Sequence, residues 1–225
     1  MAISVRLKTI AELVTPGYRA ADIGTDHGYV PIYLLRNDIS PYVIAADLSP
    51  GSLEKARVNA RRAGFLIDSN LSQSQKMSQK VGLLKVSNPV PSQETSQEVG
   101  LLKVSNSTPM QETSQEVGFL KDSNPSHGSE KTALCGIECR LSDGLSAFKP
   151  GEVDSIIIAG MGGILMDRIL RNGIEVVKSA KELILSPHRD APLLREFSNE
   201  FGFTIVSDIQ IEDKKKTYTI LKIVI

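Results

Sequence analysis

Apolar positions along this chain gather into short runs that stop at glycine or acidic residues. Arg19-Ala-Ala-Asp-Ile23, Tyr42-Val-Ile-Ala-Ala46, Ile137–Leu141, Val153–Ala159 and Glu182–Leu185 are brief and nearly unbroken, as buried parallel strands are. Between them the period lengthens to that of a helix. Helices are predicted over Tyr29–Arg36, after Ser49-Pro50 with a Leu53, Ala56, Ala60 stripe, over Ile164–Leu170, and over about Pro192–Phe201. Ser49 is a suitable N-cap and Pro50 a suitable first helical residue. Two last β segments, Thr204–Ile211 and Thr217–Val224, flank Asp213-Lys-Lys-Lys216. The alternation predicts an α/β fold, a mostly parallel sheet closed by a C-terminal antiparallel hairpin.

The middle of the chain breaks this pattern. Val81-Gly-Leu-Leu-Lys-Val-Ser-Asn88 recurs at 99–106 and, with two changes, at 117–124; a degenerate copy stands at 63–70. The period is 18 residues, with Ser, Gln and Glu tails such as Pro91-Ser-Gln-Glu-Thr-Ser-Gln-Glu98 between copies. A fixed period raises the possibility of stacked repeats. Against it, each copy offers few apolar residues, proline steps interrupt it, and Phe119 is the only aromatic from 66 to 130. Such a segment buries too little apolar surface to offset its ordering entropy. The expected organisation is one domain from residues 1–65 and 132–225, with a disordered insert at 66–131.

Composition narrows the function classes. Apolar residues make up 41% and charged residues 23% of the 225 positions, the range of ordinary globular proteins. The first residues lack a secretory signal and no run is long enough to span a membrane, so no membrane partner and a cytoplasmic location are expected. Lysine plus arginine equal aspartate plus glutamate at 26 each. The insert holds six lysines against seven acids, so removing it uncovers no strongly basic domain. Cys135 and Cys139 form no metal-binding spacing, and incidental reduced thiols with no metal site are expected.

The chemistry-bearing residues fall at the C-terminal ends of the predicted strands, where open α/β sheets bind ligands. Asp22, Gly24 and Gly28 follow the first, Asp47 and Leu48 the second, Asp143 and Gly144 the third, Ala159 through Gly163 the fourth, and Ser186-Pro187-His188 the fifth. The first loop is not G-x-G-x-x-G and has no P-loop lysine, so a pyrophosphate is not its natural guest. Asp22 would repel phosphate but suits a ligand carrying an ammonium and a sulfonium. Asp47 stands where a carboxylate accepts from ribose hydroxyls. A single acid at a strand end reads equally well as a cap; three in succession beside a glycine loop point to a nucleoside cofactor.

Three strings carry a closer resemblance: Ala21-Asp-Ile-Gly-Thr-Asp-His-Gly-Tyr-Val-Pro-Ile-Tyr33, Ile158-Ala-Gly-Met-Gly-Gly163 and Leu183-Ile-Leu-Ser-Pro187. They resemble the bacterial tRNA (adenine-N1)-methyltransferases that modify adenine 22, a class I, Rossmann-like, S-adenosylmethionine-dependent family. The resemblance runs from Arg6-Leu7 to Lys216-Thr-Tyr218. It implies that Asp22, Gly24 and Gly28 hold the methionine part of S-adenosylmethionine, that Asp47 with Leu48 holds the ribose side, and that Asp143 and Gly144 lie against the adenine. Ala159 and Gly160 would complete the cofactor site. Met161, Gly162 and Gly163, with Ser186, Pro187 and His188, would face a target base taken out of its stack. Two differences from the family stand out. Members usually carry a C-terminal helical extension that helps hold tRNA, whereas this sequence ends at Ile225, and many have Gln-Pro-Asn where this one has Ser186-Pro187-His188.

Adenine N1 has a free lone pair, so the reaction needs alignment more than a base. The product ring is cationic. Asp26 is the candidate catalytic carboxylate, with His27 orienting it or the base; the same pair could equally just shape the cofactor loop. Arg6, Lys8 and Arg19 are candidates to meet phosphates, though an ordinary solvated charge is the favoured reading of any one of them. tRNA is the expected partner, with no obvious protein partner. A methyltransferase on another substrate, and a cofactor-binding scaffold without turnover, are the alternative readings.

Overall fold

A computed structural model describes residues 3–67 and 135–225. The 18-residue copies from 81 to 124 lie outside the described residues. The chain opens on α1 (Val5–Glu12), followed by β1 (Ala20–Ile23), α2 (Tyr29–Arg36), β2 (Tyr42–Asp47), α3 (Pro50–Arg62), β3 (Gly136–Leu141) and β4 (Ser155–Ala159). It continues as α4 (Gly163–Asn172), α5 (Ile174–Ser179), β5 (Glu182–Ser186), α6 (Ala191–Phe201), β6 (Thr204–Asp213) and β7 (Lys216–Val224).

The strands form one sheet in the order β3-β2-β1-β4-β5-β7-β6. The first five are mutually parallel and β7 and β6 are antiparallel. Strand order reverses between β1 and β4, and such a switch point opens a crevice beyond the carboxyl ends of the strands. Alternation of side chains across the sheet divides the core in two. Ala21, Ile23, Ile44, Ile156 and Ile158 face one way and pack with Met166, Leu170, Val177, Leu194 and Phe197 of α4, α5 and α6. Ala20, Val43, Ala45, Ile157 and Ile184 face the other way, under Ile10, Val30, Leu34 and Ala60 of α1, α2 and α3. Both faces of the central strands are therefore covered, which is why their sequences are unbroken apolar runs.

The N-terminal edge of the sheet is tied by charge. Buried Glu182 accepts from the Thr15 N–H at 2.9 Å and the Thr15 hydroxyl at 2.6 Å, and Lys222 Nζ lies 3.1 Å from it. Asp154 accepts from the Arg19 N–H and Nε. Burial pushes the Asp154 carboxyl up, but hydrogen bonds from Arg19 and Lys181 outweigh it and hold it at about 2.

Several boundaries differ from those read in the sequence. β1 begins at Ala20 and β4 at Ser155, because Arg19 and Asp154 are committed to each other just outside the strands. A separate α5 follows α4, broken at Gly173, whose position packs against Leu145 too closely for a side chain. β6 and β7 run to Asp213 and Lys216, leaving a two-residue turn. Leu66 and Ile67, inside the insert by sequence, belong with the sheet: Leu66 bridges Ile137, and the Ile67 N–H donates to the Ile137 carbonyl at 2.8 Å. Ser49 does cap α3, accepting from the Ser52 N–H at 3.3 Å, with Pro50 at the start.

Candidate active site

The loop after β1 is pinned to the end of β2. The Gly24 and Thr25 N–H groups both donate to the Ala46 carbonyl, at 2.8 and 3.0 Å, and the Gly28 N–H donates to Thr25. Gly24 has φ 78° and Gly28 φ 72°, in the left-handed region that glycine enters without strain. A Cβ on Gly24 would collide with the Met161 methyl group. The loops after β1 and β4 thus touch across the switch point.

Asp22 at the end of β1 is 4% exposed. Burial pushes its carboxyl up to about 6, the Asp47 charge adds to this, and the Thr25 hydroxyl opposes it. Asp47 accepts from the Ser49 N–H at 2.7 Å on one oxygen and from the Asp26 N–H at 3.3 Å on the other. A carboxylate offers about four lone-pair sites, so acceptor capacity remains for a pair of hydroxyls. Leu48, next in sequence, is 66% exposed, an apolar side chain open to the face of a planar ring. These features fit S-adenosylmethionine: a cationic amino acid end beside a carboxylate that burial disfavours, a ribose at Asp47, and a base over Leu48.

Asp143 and Gly144 are held against the same edge. The Ser142 N–H donates to the Asp47 carbonyl at 3.0 Å, and the Ser142 hydroxyl donates to the Gly144 carbonyl at 2.8 Å. Gly144, at φ 56°, packs on Ile169, while Asp143 is exposed.

The loops after β4 and β5 are zipped together. Ala159 registers with Ser186, the Gly160 N–H donates to the Ser186 carbonyl at 3.2 Å, and the His188 N–H donates to the Met161 carbonyl at 2.8 Å. The Gly163 N–H donates to the Arg189 carbonyl at 2.9 Å. A Cβ at Gly163 would strike the Asp190 backbone, so that glycine is required by packing whatever the ligand. Gly162 follows Met161 on the crevice side of α4; Pro187 is buried and His188 exposed, its ring 5.9 Å from that of Tyr218.

Asp26 and His27 sit at the outer rim of the first loop. Asp26 Oδ2 is 3.3 Å from His27 Nε2 and Asp26 Oδ1 is 3.8 Å from Lys55 Nζ. The His27 ring stacks on Tyr29 at 5.2 Å, and its carbonyl accepts from Asn59. Asp26 is exposed and His27 half-buried, and both are anchored by these local contacts.

The strand-end residues singled out in the sequence are therefore neighbours at one edge of the sheet. Thr25 and Tyr218 are additions. Thr25 was masked by its ordinary place in a glycine loop, and Tyr218 reaches the edge only through the hairpin register. Arg19 is a correction: it is bound to Asp154 and the Gly151 carbonyl at the opposite edge, away from any substrate at the crevice. Lys8 pairs with Glu12 on α1 at 3.6 Å. Cys135 and Cys139 are unpaired, and burial pushes the Cys139 thiol up to about 11. Among the described residues no His, Cys, Asp or Glu cluster is arranged to hold a metal, and no helix is long and apolar enough to cross a membrane.

Residues 3–88 and 123–221 match a family described as a methyltransferase domain. The tRNA (adenine(22)-N(1))-methyltransferase of Bacillus subtilis is 24% identical over 221 residues, 98% of this chain; the chain spans 64% of that relative's length. The crystal structure of the Bacillus subtilis tRNA methyltransferase TrmK superposes with a TM-score of 0.65 at 24% identity, covering 99% of this chain and 66% of that one. Streptococcus pneumoniae Sp1610, solved in complex with S-adenosyl-L-methionine, gives a TM-score of 0.66 at 26% identity, covering 99% of this chain and 73% of that one. The sheet is that of a Rossmann-like methyltransferase, mostly parallel with an antiparallel C-terminal pair. The chain belongs to the methyltransferase domain family.

Proposed function

We propose that this domain is a cytoplasmic enzyme that binds S-adenosylmethionine in the crevice between β1 and β4 and methylates N1 of the adenine at position 22 of tRNA. The observation that carries the cofactor assignment is the pairing of a buried Asp22 with Asp47 across a glycine loop. The tRNA assignment rests on the Bacillus subtilis relative, whose name states that substrate and which aligns with 98% of this chain.

When bound, the cofactor supplies a methyl group on a sulfonium, a strong electrophile that needs no metal. Asp22 accepts from its ammonium. Asp47 accepts from the ribose hydroxyls while keeping its bonds to Ser49 and Asp26. Leu48 and Gly144 border the adenine, Asp143 accepts from the exocyclic amine, and Ala159 and Gly160 line the inner wall. Met161, Gly162 and Gly163, with Ser186, Pro187 and His188, form the wall that meets the target adenine. Small residues there leave room for a base withdrawn from its stack. Asp26 faces the positive charge that develops on the methylated ring, or takes a proton from its exocyclic amine, and His27 at 3.3 Å orients it.

The direct test is to incubate the purified chain with methyl-labelled S-adenosylmethionine and bulk tRNA. Label entering tRNA supports the assignment. Cofactor binding with no incorporation into any RNA favours the non-catalytic alternative.

A further inference from the structure

The β6–β7 hairpin does more than close the sheet. The last registered pair between β5 and β7 is Leu185 with Leu221, yet β7 starts at Lys216 and stays paired with β6 up to Asp213–Lys216. Residues 216–220 therefore run past that pair by about 16 Å, at about 3.3 Å per residue. They run past the C-terminal edge of the parallel strands, the edge that carries the crevice. Ile209 and Ile211 pack into the layer beneath α1, which braces the overhang.

The tip is Lys214 and Lys215, with φ of 51° and 62°. Two left-handed central residues define the turn that matches hairpin twist, and Asn-Gly is the sequence that suits it. Lysine in both places is conformationally unfavourable and leaves two cations at the end of a projecting arm. None of Lys214, Lys215 and Lys216 forms an ion pair among the described residues, although Glu212 and Asp213 stand on the facing strand. Between the arm and the β5 loop lies a cleft of about 570 Å³ lined by His188, Lys216, Thr217 and Tyr218. Arg6 lies over the Tyr218 ring at 4.6 Å, with a guanidinium nitrogen that is buried and lacks a hydrogen-bond partner. A chain with no net charge thus concentrates cations and an aromatic ring beside the proposed target-base wall.

We propose that this hairpin grips the RNA backbone, with Lys214 and Lys215 on phosphates and the His188–Tyr218 cleft holding a nucleotide flanking the target. The proposal rests on reading the chain as an RNA methyltransferase. Its test uses the full chain with Lys214→Asn and Lys215→Gly together, which suits the turn while deleting both charges. Affinity for an unmodified tRNA transcript and the KM for tRNA are measured from low to moderate salt, beside cofactor affinity and melting temperature. The proposal expects about tenfold weaker tRNA binding at low salt and a salt slope smaller by about 0.7–0.9 for each lysine lost. It also expects kcat at saturating tRNA, cofactor affinity and melting temperature at or above wild type, with Lys214→Arg plus Lys215→Arg behaving as wild type. Wild-type tRNA affinity and slope in the Asn-Gly variant overturn the hairpin role alone. A wild-type chain that binds no tRNA overturns the tRNA-methyltransferase reading beneath it, and the hairpin role with it.

Discussion

The backbone N–H of Asp26 donates to Oδ2 of Asp47 at 3.3 Å. The residue assigned to the substrate is thereby anchored, through its main chain, to the residue assigned to the cofactor ribose. Their side chains remain separate: Asp47 is half-buried beside Asp22, and Asp26 points outward to His27 and Lys55. Substitutions at the two positions should have different signatures.

Asp47→Ala removes the acceptor for both ribose hydroxyls. Hydrogen bonds to charged groups contribute about 1.5–3 kcal/mol each, so the pair is worth about 3 kcal/mol at the low end, roughly 100-fold in affinity. The first loop also loses its tie at Asp26. Titration calorimetry with S-adenosylmethionine should show this loss; unchanged affinity removes Asp47 from the site.

Asp26→Asn keeps the backbone N–H and hence the loop. Cofactor affinity should stay within a few-fold of wild type, while turnover on tRNA falls by about 10²–10⁴, the range for a lost acid–base group. Single-turnover kinetics at saturating cofactor separate the two. Full turnover in the variant makes Asp26 part of the scaffold.

Asp22 gives the site a pH dependence with a definite sign. Its folded carboxyl is pushed up to about 6 from an ordinary 3.8, chiefly by burial. Folding thus disfavours its ionised form, so this residue lowers stability as pH rises from about 4 to about 6 and adds no further change above. An ammonium beside it favours the ionised form, so cofactor affinity should be level above pH 6 and fall below it, approaching tenfold per pH unit. Asp22→Asn should melt higher at pH 7, bind the cofactor weakly, and lose the affinity step near pH 6. An affinity profile flat from pH 5 to 8 in the wild type contradicts this role.

What the sequence made legible was local. The runs ending in Asp22, Asp47 and Asp143 could be read as strands and strand ends because burial on both faces leaves little choice of residue, and Ser49-Pro50 is a complete cap in two letters. Long-range commitments were not legible. Arg19 reads as a solvated charge until Asp154 is brought beside it at 2.9 Å. Tyr218 becomes part of the crevice edge only because the hairpin overhangs β5. The hairpin turn is placed at Asp213-Lys-Lys-Lys216 by sequence, but its two-residue form at Lys214-Lys215 is not legible, because it lacks the glycine or asparagine such turns favour. Ile67 looked like insert because its apolar neighbours lie across the chain, at Ile137.

That last contact defines a deletion. The Ile137 N–H donates to the Phe65 carbonyl at 2.7 Å and the Ile67 N–H to the Ile137 carbonyl at 2.8 Å, so the chain leaves and rejoins the sheet at one place. This is the start of β3, the end opposite Asp143. Removing residues 68–121, three repeat lengths, joins Ile67 to Asp122-Ser-Asn124 and restores the order found at 67–70. Changing the length of such a connection alters closure entropy by only about 0.6 kcal/mol per doubling. The shortened chain should melt within a few degrees of wild type and keep its cofactor affinity and methylation rate. Loss of tRNA methylation with cofactor binding intact would assign the repeats a role in RNA or partner binding.

The most direct measurement is to identify the modified nucleoside. A single tRNA transcript with adenine at position 22, and a second with guanine there, are each incubated with the purified chain and S-adenosylmethionine, then digested and mapped by mass spectrometry. The account predicts 1-methyladenosine at position 22 of the first transcript, none in the second, and a strongly reduced rate on the first with the Asp47→Ala protein at cofactor concentrations that just saturate wild type. Methylation at another atom or position, or equal methylation of both transcripts, contradicts it.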